Sequence, residues 1–196
     1  INILKKHKIK GGFFFTGDFF KLYPEIVERL KAEGHYIGAH SYEHPLYCSW
    51  EDHNQTLITR EDFTTDLLKN YEQLANAGIA YTDAPFFIPP YEHYNMEIAA
   101  WTKALGLQLI NFTPGTLTNA DYTTPDMKNY RSSKEIYGKV MSVEAQEGLN
   151  GHLMLIHLGT DDKRTDKYYN RYLDKMIKTL KKKGYTFTTL HESVGI

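Results

Sequence analysis

Two imidazoles four residues apart, His40 and His44, stand in the run Gly38-Ala39-His40-Ser41-Tyr42-Glu43-His44-Pro45. Neutral imidazole is the commonest side-chain ligand of transition metals, so the pair is a candidate metal site. On a helix this spacing would place both rings on one face. Pro45, however, biases His44 out of the helical region, and Ser41 follows His40 where helical zinc proteases carry Glu. A ligand pair running from a strand end into a loop fits better. The rival reading is two ordinary loop or helix-start residues.

Such a pair needs a rigid frame, and the order of apolar runs supplies one. Gly11 and Gly12 open the continuous run Phe13-Phe14-Phe15-Thr16-Gly17, a strand buried on both faces. A helix follows with Pro24 in its first turn, Ile26, Val27 and Leu30 on one face, and Gly34 at its end. Residues 35–39 read as the second strand, which puts His40 at a carboxyl end, where sites of parallel sheets sit. Thr59 with Asp62 marks the start of a helix carrying Phe63, Leu67, Tyr71 and Leu74 up to Gly78. Residues 86–88 form a strand stopped by Pro89 and Pro90, and Asn95 caps a helix that runs to Leu105 before Gly106. Residues 107–112 make the next strand, and a polar loop spans 113–132. A helix over 134–147, a strand over 152–158, a helix over 166–183 and a strand over 185–190 complete six strands. Strands alternating with helices predict parallel βα units, as an open doubly wound sheet or a barrel. No Gly-x-Gly-x-x-Gly turn or phosphate loop follows the first strand.

Composition narrows the class. At 196 residues one domain is the default, and 41% hydrophobic and 24% charged residues describe an ordinary globular chain. The 23 Lys+Arg against 24 Asp+Glu leave a net charge of −1, which disfavours disorder and a nucleic-acid partner. No apolar stretch approaches the roughly 20 residues of a membrane span. The single Cys48 excludes an internal disulfide framework. Aromatic residues are abundant, at 14%, and either line a sugar-binding groove or simply pack.

The motif His40-Ser41-x-x-His44 after an apolar strand resembles the second motif of the polysaccharide deacetylases, also called carbohydrate esterase family four or the NodB-homology domain. The likeness extends along the chain: Phe87-Ile88-Pro89-Pro90-Tyr91 resembles the third motif, Leu155-Ile156-His157 the fifth, and Lys182-Lys183-Gly184-Tyr185-Thr186-Phe187 the final βα unit. The resemblance implies a distorted, incomplete (β/α) barrel that hydrolyses N-acetyl or O-acetyl groups on a polysaccharide or oligosaccharide. It implies that His40 and His44 hold a divalent transition metal, zinc or else cobalt or nickel, which polarises a water and the acetyl carbonyl. It assigns Ser41 to holding the ligand loop, the Tyr91 amide to the oxyanion, His157 to protonating the leaving group and Leu155 to the acetyl-methyl pocket. Acetylated glycan is the implied partner, in an extracytoplasmic setting, with chitin oligomers, peptidoglycan and acetylated xylan left open.

Three departures qualify the likeness. The family's first motif, Thr-Phe-Asp-Asp-Gly, supplies a base and a carboxylate ligand; nothing like it precedes Phe13, so both are expected upstream of Ile1. Ile88 stands where the third motif has Arg. For the fourth motif, Asp121-Tyr122 is the nearest match. Asp18, Glu92 and Asp121 are the alternative carboxylates within these residues, while Glu92 and His93 read as a solvated loop. The rival function is a catalytically impaired carbohydrate-binding pseudoenzyme of the same fold.

Overall fold

The computed structural model describes residues 1–195. In chain order its regular elements are α1 (Asn2–His7), β1 (Gly12–Phe15), α2 (Gly17–Leu22), α3 (Pro24–Ala32), β2 (Tyr36–Ala39), α4 (Arg60–Asn76), β3 (Phe86–Phe87), α5 (Met96–Ala104), β4 (Gln108–Leu109), α6 (Ser133–Glu147), α7 (Asp174–Lys182) and α8 (Leu190–Val194). The strands pair in parallel in the order β1-β2-β3-β4, with Phe15 opposite Ala39, Ala39 opposite Phe87 and Phe87 opposite Leu109. Among the described residues this sheet is not closed.

Two compact units divide these residues. The first comprises, among the described residues, Ile1, residues 9–111 and residues 189–195, and holds the sheet. Its core joins Phe15 and Ile37 of the strands to Val27 and Leu30 of α3, and to Phe63, Leu67 and Leu74 of α4. Burial of each such side chain is worth about 1.5–3 kcal/mol. Thr59 caps α4 by accepting from the Asp62 amide at 3.1 Å, and Asn95 caps α5 by accepting from the Ile98 amide at 3.1 Å, as the residue patterns predict. At Gly12 a Cβ would stand 2.5 Å from Leu190, so the missing side chain lets α8 close on β1.

The second unit comprises residues 2–8 and 112–188, with a core of Ile136, Val140 and Val143 from α6 and Met176 and Leu180 from α7. Ser132 and Glu135 form a capping box at the start of α6.

Two expected strands are absent among the described residues, and the hydrogen bonds explain why. In 152–158 the Leu153 amide donates to the Thr113 hydroxyl at 3.0 Å, and the His157 amide donates to the Asp121 carboxylate at 2.9 Å. Side chains have taken donors that a ladder would need. In 185–190 the Tyr185 amide turns back to the Leu180 carbonyl and the Thr189 amide serves the Glu192 carboxylate of the α8 cap. The helix expected over 166–183 begins late, because the Asp166 carboxylate binds the Ser133 amide at 2.7 Å and a π-helical segment, Tyr169–Leu173, leads into α7.

One buried group makes the first unit sensitive to acid. His35, 8% exposed, accepts the Gly11 amide on Nδ1 at 3.1 Å, and among the described residues its Nε2 has no hydrogen-bond partner. Desolvation, with Lys10 nearby, holds its pKa below the ordinary histidine value of 6.5. The unfolded chain therefore takes up this proton first as pH falls, so stability is full above about pH 6.5 and declines below it. We expect Tm to fall between pH 7 and pH 5, and His35→Asn, which keeps an acceptor for Gly11, to flatten that slope. An unchanged slope in calorimetry of the variant would show that His35 is not the group responsible.

Candidate active site

His40 follows β2 at the carboxyl edge of the sheet, and two residues of α4 fix what comes next. The His40 amide donates to the Phe15 carbonyl at 3.1 Å and lies 3.2 Å from Asn70 Oδ1, while Asn70 Nδ2 donates back to the Phe15 carbonyl at 3.2 Å. One turn earlier, Asp66 accepts the amides of Tyr42 and Glu43, each at 2.9 Å. Ser41 and His44 adopt left-handed backbone, at φ 63° and φ 58°, and the Ser41 hydroxyl accepts the His44 amide at 2.9 Å. His44 is thus kept out of the helical region, as Pro45 predicts, but in a left-handed rather than an extended conformation. Gly17 completes the frame: its amide donates to the Tyr42 carbonyl, and a Cβ there would stand 2.1 Å from the Tyr42 ring.

The result is a pair of rings with facing nitrogens. His40 Nδ1 lies 2.9 Å from the Ile88 carbonyl, which can only accept, so the hydrogen is on Nδ1 and the lone pair on Nε2. His44 Nε2 stands 3.2 Å from His40 Nε2. Two nitrogens each about 2.0–2.1 Å from one tetrahedral ion are about 3.3 Å apart, so the pair fits a shared divalent cation. The carbonyl behind His40 is the orienting contact that metal-binding imidazoles ordinarily make. Among the described residues, no third His, Cys, Asp or Glu joins the pair in a cluster tight enough for a metal; the trio that does form is Cys48, His53 and His93.

Ile88 contributes its carbonyl to this site while its side chain is buried. Tyr91 sits in the turn Pro90–Glu92 at φ 58°, its exposed ring edge-on to His44 at 4.4 Å between centroids. Glu92 is also left-handed, at φ 54°, and its carbonyl accepts from Asn111 Nδ2 at 2.8 Å. Among the described residues, four of the six non-glycine residues with positive φ, Ser41, His44, Tyr91 and Glu92, lie in the two loops that bear the site.

The second unit brings together His157 and Asp121. Asp121, 2% exposed in a 3-10 turn (Thr118–Tyr122), accepts the His157 amide at 2.9 Å and His157 Nδ1 at 2.7 Å. Both carboxylate oxygens face His157, so Asp121 is placed as a positioning residue for that ring. Tyr122 packs edge-on to it at 5.4 Å, and Leu155 lies half-buried two residues earlier. Burial, and secondarily the Asp121 charge, push the nearby Tyr168 phenol well above its ordinary range and keep it neutral. Arg164, fully buried, donates to the carbonyls of Thr123 at 2.5 Å, Arg131 at 3.1 Å and Asp166 at 3.1 Å. That guanidinium closes the loop that follows Asp121. Its role has no sequence signal beyond one Arg in a polar run, whereas Asn70 falls in the Phe63, Leu67, Leu74 stripe of α4 and could have been noticed there.

Comparison with known proteins follows these residues. A peptidoglycan-N-acetylglucosamine deacetylase from Bacillus cereus is 29% identical over 95% of this chain and 59% of its own length. The chain spans 59–64% of the length of this relative and a comparable peptidoglycan deacetylase from Bacillus subtilis. The crystal structure of a peptidoglycan N-acetylglucosamine deacetylase superposes with TM-score 0.76 at 24% identity, over 98% of this chain and 78% of that one. A carbohydrate esterase family four pseudoenzyme from Bacillus anthracis gives TM-score 0.69 at 22% identity, over 97% and 57%. At these identities the structures speak for the fold, the (β/α) barrel type, present here with an open parallel sheet. The family model for polysaccharide deacetylase matches residues 1–110, more than half of the 196 residues, and the chain belongs to the polysaccharide deacetylase family.

Proposed function

We propose that this chain hydrolyses N-acetyl or O-acetyl groups on a polysaccharide or oligosaccharide. The observation that carries the reading is the pair of Nε2 atoms of His40 and His44, 3.2 Å apart, with His40 locked by the Ile88 carbonyl. These two imidazoles would hold a divalent transition cation, zinc or else cobalt or nickel. The chemistry such a cation supplies when bound is Lewis-acid stabilisation of charge on the acetyl oxygen. The Tyr91 amide, in its strained turn beside His44, would donate to the same oxygen as it gains charge. His157 would pass a proton from Nε2 to the leaving nitrogen or oxygen, with Asp121 holding its Nδ1–H. Leu155 would bound the acetyl methyl group.

A β-linked N-acetylhexosamine polymer is the substrate class best supported, with acetylated xylan next. The names of the relatives, peptidoglycan deacetylases from Bacillus subtilis and Bacillus cereus, favour peptidoglycan. A wall polymer would place the protein outside the cytoplasm. Among the described residues no helix is long and apolar enough to cross a membrane. A glycan-binding pseudoenzyme is the second reading, favoured by the lack, among the described residues, of a carboxylate joining the histidine pair.

His40→Ala and His44→Ala should each abolish zinc-dependent acetate release from acetylated oligosaccharides, and chelation should do the same to the unaltered protein, reversibly on re-adding zinc. Glycan binding without acetate release at any metal concentration would establish the pseudoenzyme. His157→Ala should lower turnover of acetylated oligosaccharides about a hundredfold or more, the usual contribution of a general acid, while turnover of an activated aryl acetate stays unchanged because that leaving group needs no proton. Equal oligosaccharide turnover in the variant would remove His157 from the mechanism.

A further inference from the structure

A second cluster of ligand-bearing side chains lies apart from the histidine pair. Cys48, His53 and His93 each present one potential ligand atom, and these atoms all lie within 4.8 Å of one another. Thiolate with imidazole is a donor set suited to zinc and other thiophilic ions, and three such ligands with a fourth position left over is a common zinc arrangement.

The surrounding structure holds the three residues where they are. Residues 48 and 56 form an antiparallel bridge, and the Ser49 amide donates to the Gln55 carbonyl at 2.9 Å, so the segment between is a closed loop with Cys48 at its base. Inside it, the Ser49 hydroxyl accepts the amides of Glu51 and Asp52, and Asp52 Oδ1 accepts the Asn54 amide at 3.1 Å. Thr56 ties the loop to α5 through Asn95 Nδ2 at 2.9 Å and Glu97 Oε2 at 2.5 Å. His93 comes from the turn after β3. Its Nε2 lies 3.1 Å from the Ser49 carbonyl, which can only accept, so Nε2 carries the hydrogen and Nδ1 keeps the lone pair. Trp50 stacks on the His93 ring at 4.0 Å, and His53 approaches it edge-on at 5.0 Å. An imidazole with one nitrogen donated to a backbone carbonyl and its plane set by stacking is oriented for a ligand at the other nitrogen.

We propose that Cys48, His53 and His93 form a second cation site that takes Zn2+ through one thiolate and two imidazoles. Bound there, the ion would pin the 48–56 loop to the turn that carries Tyr91, whose ring lies 6.2 Å from that of Trp50. Its role is to hold the rim beside the histidine pair, separate from the reaction itself.

Cobalt(II) tests this, because a thiolate ligand gives a charge-transfer band in the near ultraviolet that a site built only from imidazoles lacks. Titrating the reduced full chain with Co2+ should produce that band with one equivalent per chain, and Zn2+ should displace it. The band should persist in the His40→Ala/His44→Ala double variant, so loss of the hydrolytic site and loss of this one are read separately. Cys48→Ser should abolish it. His53→Ala, which alters only an exposed side chain, and His93→Ala should each weaken Co2+ binding about tenfold or more while the circular dichroism of the fold is retained. No band in the unaltered chain, or unchanged affinity in both histidine variants, would overturn the proposal and leave Cys48 as a packed core thiol.

Discussion

A single buried amide joins the sheet to the site. Asn70 has no exposed surface, and its side chain binds the Phe15 carbonyl at the end of β1 with one end and the His40 amide beyond β2 with the other. At that edge the last hydrogen bond between the two strands runs from the His40 amide to the Phe15 carbonyl at 3.1 Å, and Asn70 braces both of its ends. An apolar side chain at this position would leave that bond unbraced, without the two side-chain hydrogen bonds, each worth about 0.5–1.5 kcal/mol. The same hydrogen bonds fix the height at which the chain leaves β2, and hence where the His40 ring begins. Asp66, one turn away on the same face of α4, does the equivalent for Tyr42 and Glu43. One helix face therefore supplies side-chain support to three amides of the loop, those of His40, Tyr42 and Glu43.

That support is needed because the loop is strained. Left-handed backbone at a residue with a Cβ costs about 1–3 kcal/mol, and Ser41 and His44 both adopt it within four residues. The bend turns His44 back so that its Nε2 meets that of His40. In an extended loop the two rings would diverge, and the Ser41 hydroxyl bond to the His44 amide would be lost. Tyr91 and Glu92 repeat the device in the neighbouring turn, where the Asn111 side chain secures the Glu92 carbonyl. These four strained positions sit on strands that are regular beneath them, which is the arrangement expected when geometry at a site is set by a stiffer scaffold.

How much of this was readable in the sequence depended on whether the determinant was local. The first four strands, the caps at Thr59, Asn95 and Ser132 and the position of His40 at a strand end all follow from periodicity and from neighbours a few residues away. Residues 152–158 and 185–190 have the apolar content of strands, yet their amides go to Thr113, Asp121, Leu180 and Glu192, and no local pattern encodes those choices. Arg164 and the Cys48, His53, His93 cluster were missed for the same reason: their partners are brought together by the chain's course over tens of residues. Asp121 is the nearest match to the fourth motif, and its buried contact with His157 is made across 36 residues that no local pattern links.

The histidines share one design, and the atom behind each ring sorts their chemistry. His40 and His93 each give one N–H to a backbone carbonyl, of Ile88 and of Ser49. A carbonyl carries no net charge and can only accept, so it orients the ring and leaves the other nitrogen as the one open to a metal. His157 instead gives its Nδ1–H to the buried carboxylate of Asp121 at 2.7 Å. A negative charge at that distance would support the imidazolium that the proposed proton transfer from Nε2 requires. A carboxylate behind His40 would orient a metal-binding ring equally well, whereas a carbonyl behind His157 would leave the proposed proton donor without a counter-charge. In both units the ring's far nitrogen is held by a group 36 to 48 residues away in sequence, so the orientation of each proposed ligand or acid is set by the fold rather than by its neighbours in the chain.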